Sequence, residues 1–227
     1  MQFFIVVLLI CLFIFLYCVY VLSNDDFIFL RRDVSMERIF NIIFIGSLIS
    51  FFAARIFYGF SQTSIFLNPL VFILFPYFPG LSLLGGVIGG GMYLLFLKTR
   101  KENSLPMARI SDFFSIAFLI SLPIGYIGFL MFSENTMMIK SGLQAIAYLI
   151  AFIIFLKFSL PRLLSGMFKE GTITFQFLVL FSIISLISNA FPKIILLNYL
   201  KNFENIILIL ILLLSIGVLV KLKGGKQ

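Results

Sequence analysis

The residues able to do chemistry are few, and most of them stand inside or beside apolar runs. Arg55 lies within a stretch of about twenty apolar residues, Asp112 follows Ser111 at the head of another, and Glu134 follows the end of that one. An ionisable side chain at membrane depth costs about 2.5–3.5 kcal/mol on insertion scales, so each needs a reason. Arg55 suits either snorkelling to headgroups or holding an anion. Asp112 suits capping the start of its own helix, where a carboxylate meets the positive end of the helix dipole. Glu134 suits an interfacial position or the mouth of a substrate path. Tyr126, between Gly125 and Gly128, suits packing better than acid–base work, because a phenol with a pKa near 10 stays protonated at neutral pH. The segment Gly80-Leu81-Ser82-Leu83-Leu84-Gly85-Gly86-Val87-Ile88-Gly89-Gly90-Gly91 holds the pairs Gly85/Gly89 and Gly86/Gly90. Such spacing lets two helices meet backbone to backbone. It also suits a helix entrance whose bare amides face a lipid phosphate. No Gly-Lys-Ser/Thr follows, which excludes a nucleotide phosphate loop.

The sequence contains no histidine, and its two cysteines, Cys11 and Cys18, fall seven apart in one apolar run. They cannot bridge each other within one helix. Neither a disulfide framework, a metal site nor a cofactor is expected. The first run lacks a preceding basic residue and a small-x-small cleavage site, so it reads as a retained transmembrane helix rather than a secretory signal.

These residues must be positioned by helices in a bilayer. The chain has 227 residues, 62% hydrophobic and 11% charged, too little polar material to cover a soluble globule. A bilayer core needs about 20 consecutive apolar residues per helix. Runs near that length fall at about 3–22, 42–60, 81–97, 113–132, 143–160, 174–191 and 205–220. The expected fold is an all-α membrane protein, one polytopic domain over residues 1–227 with about seven transmembrane helices. Residues 61–80 are apolar but broken by Pro69, Pro76 and Pro79, which points to an external arm or re-entrant segment, with an eighth span as the alternative.

Basic residues give the sidedness. Arg31, Arg32, Arg38, Lys98, Arg100, Lys101, Arg109, Lys157, Arg162, Lys169, Lys221, Lys223 and Lys226 fall on one side of a seven-span arrangement. Arg55, Lys140, Lys193 and Lys201 fall on the other, 13 against 4 of the 17. The richer side is cytoplasmic by the positive-inside rule, with the amino terminus outside and the carboxy terminus inside. The net charge of +8 is distributed between spans rather than gathered on one face, so no nucleic-acid partner is expected.

The order of the pieces resembles the prolipoprotein diacylglyceryl transferase family over about residues 30 to 220. The resemblance is carried by Ala54-Arg55-Ile56-Phe57-Tyr58, the proline-broken stretch, the Gly80–Gly91 block, Ile110-Ser111-Asp112-Phe113, Gly125-Tyr126-Ile127-Gly128 with Glu134, and Lys140-Ser141-Gly142-Leu143. It implies a bacterial cytoplasmic membrane protein that moves a diacylglyceryl group from phosphatidylglycerol to a lipobox cysteine, releasing glycerol phosphate. It also implies lipid contacts at Arg55, Ser82, Gly85, Gly86, Tyr126 and Glu134. The chain departs from the family's pattern at Leu84, where a histidine is expected, at Tyr126 and Phe129, where an arginine and an asparagine are expected, and at Ser185 and Asn189, where an arginine and a glutamate are expected. Three functions follow from this reading: a divergent transferase, a non-catalytic accessory protein binding phospholipid or prolipoprotein signal segments, and an unrelated small transporter. The oligomeric state is left open.

Overall fold

The structure is a computed structural model and describes residues 2–24, 26–61, 80–99, 105–130, 135–190 and 202–224. Every regular element among these residues is helical, as composition requires. They are α1 (Gln2–Asn24), α2 (Phe27–Arg31), α3 (Met36–Ser61), α4 (Leu83–Thr99), α5 (Met107–Leu130), α6 (Asn135–Ile154), a π-helical turn (Phe155–Ser159), α7 (Leu160–Leu164), α8 (Thr172–Ala190) and α9 (Phe203–Gly224). Six helical segments are long and apolar enough to cross a membrane: Ile5–Asn24, Met36–Phe60, Met107–Leu130, Ile139–Leu164, Thr172–Ala190 and Phe203–Lys223. The chain is thus a multi-pass membrane protein by helix length and composition. Large apolar side chains such as Phe13, Tyr17 and Leu214 lie about 70% exposed, which lipid tolerates and water does not.

The seventh expected span, 81–97, is the 17-residue helix α4, about 25 Å long at 1.5 Å per residue. That is the lower end of the range of about 17–25 residues that can span a hydrocarbon core. The apolar runs also locate bilayer depth better than helix ends. The run at 113–132 belongs to a helix that starts at Met107, and the run at 42–60 to one that starts at Met36. Of the expected arm at 61–80, residues 62–79 lie outside the described residues, as does Glu134.

The helices group into two units. In the first, residues 1–6 and 23–107, α3 and α4 run antiparallel in close contact. Gly46 meets the Tyr93 ring, Ser50 meets Gly90, and Ala53 and Phe57 meet Gly85. A Cβ on Gly85 would stand 2.5 Å from Phe57 Cβ and 2.8 Å from the Ala53 carbonyl oxygen, so this approach requires glycine. Gly89 is equally closed off by Ala53, while a Cβ on Gly86 would find only ordinary contacts at 3.7 Å. The glycine block is therefore a helix crossing, and of its two overlapping pairs Gly85/Gly89 is the tight one.

The second unit comprises residues 7–22 and 108–227. Its core holds Phe113, Ile116, Leu119, Tyr148, Ile173, Phe177, Phe181 and Leu208. The rings of Phe118 and Phe177 meet edge to face at 5.9 Å, a geometry that adds to their burial. On α5, Gly125 faces Cys11 and Gly128 faces Val7, the latter too closely for any side chain. The Ser121 hydroxyl donates to the Cys11 carbonyl at 3.3 Å and the Cys11 thiol to the Ser121 carbonyl at 3.6 Å. Gly125 and Gly128 thus serve packing between α5 and this part of α1. Pro123 sits inside α5, and Pro161 follows the π-helical turn. Because proline removes an amide and clashes with the carbonyl one turn back, widening the preceding turn is one way to keep the helix running.

Candidate functional site

In the first unit, Arg55 is 2% exposed. It does not snorkel. Its Nη1 donates to the Gly80 carbonyl at 2.7 Å, and its guanidinium lies 5.9 Å from the centre of the Tyr58 ring. Tyr58 in turn closes over Gly80. Ser82 stands at the head of α4: its amide donates to the Ala54 carbonyl at 3.0 Å, and its hydroxyl accepts from the Gly85 amide at 3.2 Å. That is an N-cap, and it satisfies one of the amides left over at a helix start. Gly86 N–H closes on the Ser82 carbonyl as an ordinary helical bond. Arg55, Ser82, Gly85 and Gly86 are thus brought together. Their polar groups hold α3 to the entry of α4, however, rather than presenting bare amides to a phosphate. Leu84, at the expected histidine position, is buried in the same turn.

In the second unit, Tyr126 of α5 stacks on Tyr148 of α6, ring centres 5.7 Å apart and planes 10° from parallel. Tyr148 is fully buried. Ser185 of α8 interacts with its hydroxyl, although the pair does not reach hydrogen-bonding geometry, and the Tyr148 Oη has no partner at that geometry among the described residues. Tyr126 and Ser185, 59 residues apart, therefore converge on one phenol. Tyr148 was not singled out in the sequence, and the only signal for it was a lone phenol in the middle of an apolar run. Phe129, by contrast, is 43% exposed and takes no part in this cluster.

Toward the ends of α6 and α8, Lys140 Nζ donates to Asn189 Oδ1 at 3.5 Å, and Asn189 Nδ2 donates to Asn205 Oδ1 at 2.9 Å. Asn205 is buried near the start of α9. Lys140 also feels the charge of Glu204. Further along, the Ser159 hydroxyl of the π-helical turn meets Gln176 Oε1 of α8 at 3.1 Å. Hydrogen bonds of this kind tie helices together in an apolar solvent, at about 0.6–2 kcal/mol each. Asn189 and Ser185 thus lie one turn apart on a face of α8 that carries polar groups toward α6.

Asp112 caps a helix, but not its own. It lies more than a turn inside α5 and is fully buried. Its carboxylate accepts from Gly171 N at 2.7 Å, from Thr174 N at 2.8 Å and from Thr174 Oγ1 at 2.8 Å. These are amides at the head of α8. Ser111 Oγ completes the group with Thr174 Oγ1 at 3.1 Å, and Gly171 reaches the carboxylate with a positive φ of 89°. Nearby Arg109, also buried, donates to the Leu163 carbonyl at 3.2 Å. Counted in the sequence only among the basic residues of one membrane side, it fastens α7 to the start of α5.

No family model, curated protein or solved structure matches this chain.

Proposed function

We propose that the chain is a phospholipid-handling membrane protein built on the scaffold of the prolipoprotein diacylglyceryl transferases, with the transfer reaction lost. In this reading it resides in a bacterial cytoplasmic membrane, amino terminus outside and carboxy terminus inside. It engages phosphatidylglycerol, or the signal segment of a prolipoprotein, as an accessory subunit rather than as a catalyst.

The observation that carries the reading is the convergence of Tyr126 and Ser185 on Tyr148. The resemblance implies arginines at positions 126 and 185. Here the two positions do share a neighbour, but a phenol and a hydroxyl occupy them. Diacylglyceryl transfer needs help in deprotonating a thiol with a pKa near 8.5 and cations that hold the departing phosphate. A phenol, a serine and an asparagine supply neither. Arg55, which matches a family arginine, is committed in part to the Gly80 carbonyl, and the Gly85 amide is already capped by Ser82. What the second unit does offer is neutral hydrogen-bonding capacity at Tyr148, Ser185 and Asn189, with one cation, Lys140, beside it. That set suits holding a hydroxylated headgroup without breaking a bond in it.

The test is complementation. Expressed in bacterial cells depleted of their own transferase, this protein adds no lipid mass to a reporter lipoprotein. Clear restoration of lipidation, read by mass spectrometry of the reporter, would refute the loss of transfer. Co-purification of phosphatidylglycerol or of a signal segment supports the binding part of the reading, and the absence of both favours a small transporter.

A further inference from the structure

The turn between α1 and α3 joins two membrane-crossing helices, so it lies at a membrane face. Within it, α2 is fixed at both ends by local bonds. Asp26 caps the start, its Oδ1 accepting from Ile28 N at 3.0 Å and Phe29 N at 3.2 Å. At the other end Asp33 N–H donates to the Leu30 carbonyl at 3.3 Å and Val34 N–H to the Phe29 carbonyl at 3.1 Å. This is a Schellman closure, and it places Asp33 in the left-handed region at φ 51°. Phe29 anchors the helix from below, only 1% exposed.

So held, the backbone fixes where each side chain leaves the helix. Phe27 and Leu30 stand 74% and 67% exposed, and Arg31 and Arg32 are exposed beside them. Neither arginine makes an ion pair among the described residues. A cleft of about 440 Å³ is lined by Phe27, Ile28, Arg31 and Arg32. All four lie on α2 or at its end: Phe27 and Ile28 are apolar, and Arg31 and Arg32, about one turn on, bring two guanidinium groups whose planar forks match the oxygens of a phosphate. A free anion would have no use for Phe27 and Leu30, and an acyl chain alone would have no use for the arginines.

We infer that this cleft binds the headgroup of an anionic phospholipid in the leaflet that α2 faces, with the phosphate on Arg31 and Arg32 and the upper acyl chain against Phe27 and Leu30. The site is independent of the function proposed above and involves none of its residues.

The experiment is native mass spectrometry of the full-length protein, delipidated in detergent and titrated with phosphatidylglycerol or with phosphatidylcholine of the same chains. The wild type binds the anionic lipid more tightly, and R31Q/R32Q weakens it roughly 30-fold, the factor expected of two arginines at an anionic surface. The single variants R31Q and R32Q each weaken it roughly fivefold, which keeps the test decisive if the double variant folds poorly. F27S/L30S also weakens lipid binding, and millimolar inorganic phosphate does not displace the lipid. Equal binding of the two lipids by the wild type, unchanged binding in R31Q/R32Q, or complete displacement by inorganic phosphate overturns the inference.

Discussion

Gly85 and Gly86 are neighbours in sequence and in helix α4, yet the geometry assigns them opposite responses to one added methyl group. A Cβ at Gly85 would sit 2.5 Å from Phe57 Cβ and 2.8 Å from the Ala53 carbonyl oxygen. Ordinary carbon contacts begin near 3.5 Å, so α3 and α4 must part by close to an ångström. Overpacking of this kind costs about 1–3 kcal/mol, and the upper end applies because Phe57 Cβ and a backbone oxygen cannot rotate away. Against that stands the gain of about 1 kcal/mol from replacing glycine by alanine inside a helix. Gly85→Ala is therefore destabilised by about 2 kcal/mol. At Gly86 the added Cβ meets Ala54 Cβ and the Ser50 carbonyl oxygen at 3.7 Å, ordinary van der Waals contact. Gly86→Ala keeps the helix-propensity gain and is stabilised by about 0.5–1 kcal/mol. The two variants should differ by about 3 kcal/mol, measured by unfolding in mixed micelles of increasing sodium dodecyl sulfate content. Equal stabilities, or a more damaging change at Gly86, would refute the close crossing of α3 and α4.

Two further substitutions test the local bonds. Asp112→Ala removes the acceptor for Gly171 N, Thr174 N and the Thr174 hydroxyl, and should cost about 1–3 kcal/mol. Hydrogen exchange should quicken first at the Gly171 and Thr174 amides, and Asp112→Asn, which keeps an acceptor oxygen, should lose less. Asp33→Gly relieves a side chain held at φ 51° and should stabilise the α2 turn by about 1 kcal/mol in the same micelle titration. A destabilised Asp33→Gly would mean that the aspartate side chain makes a bond worth more than the strain.

Much of the architecture was legible because hydropathy reports bilayer depth directly. The segments Met36–Phe60, Ile139–Leu164 and Phe203–Lys223 all contain the apolar runs that predicted them. Helix starts were not legible, since residues such as Arg109 and Asp112 look like loop in composition and become helical through tertiary partners. The glycine block announced a close approach, but two overlapping pairs have the same spacing, and only the neighbouring helix decides that Gly85/Gly89 is the tight one. Capping by Asp112 could be expected from its type, whereas its partner, a helix about 60 residues onward, could not. Arg55 offered two readings from sequence; it does not snorkel, and one of its acceptors, the Gly80 carbonyl, is a backbone oxygen that leaves no trace in residue identity. Tyr148 matters through what stacks on it, and pairing across helices is invisible to periodicity.

The capping of α8 by Asp112 also sets an order of events during synthesis. The carboxylate is made 59 residues before Gly171, the first amide it serves. At about 5–20 residues per second, that is roughly 3–12 s in which the head of α5 carries a charge without its acceptor bonds filled. Until α8 emerges, Asp112 must stay hydrated, in the translocation machinery or at the membrane surface. The start of α5 is thus among the last parts of its helix to settle, and ribosome pausing between codons 112 and 171 would lengthen that exposure. A deletion that removes α8 should leave α5 unable to seat its first turns, although its apolar stretch remains long enough to insert.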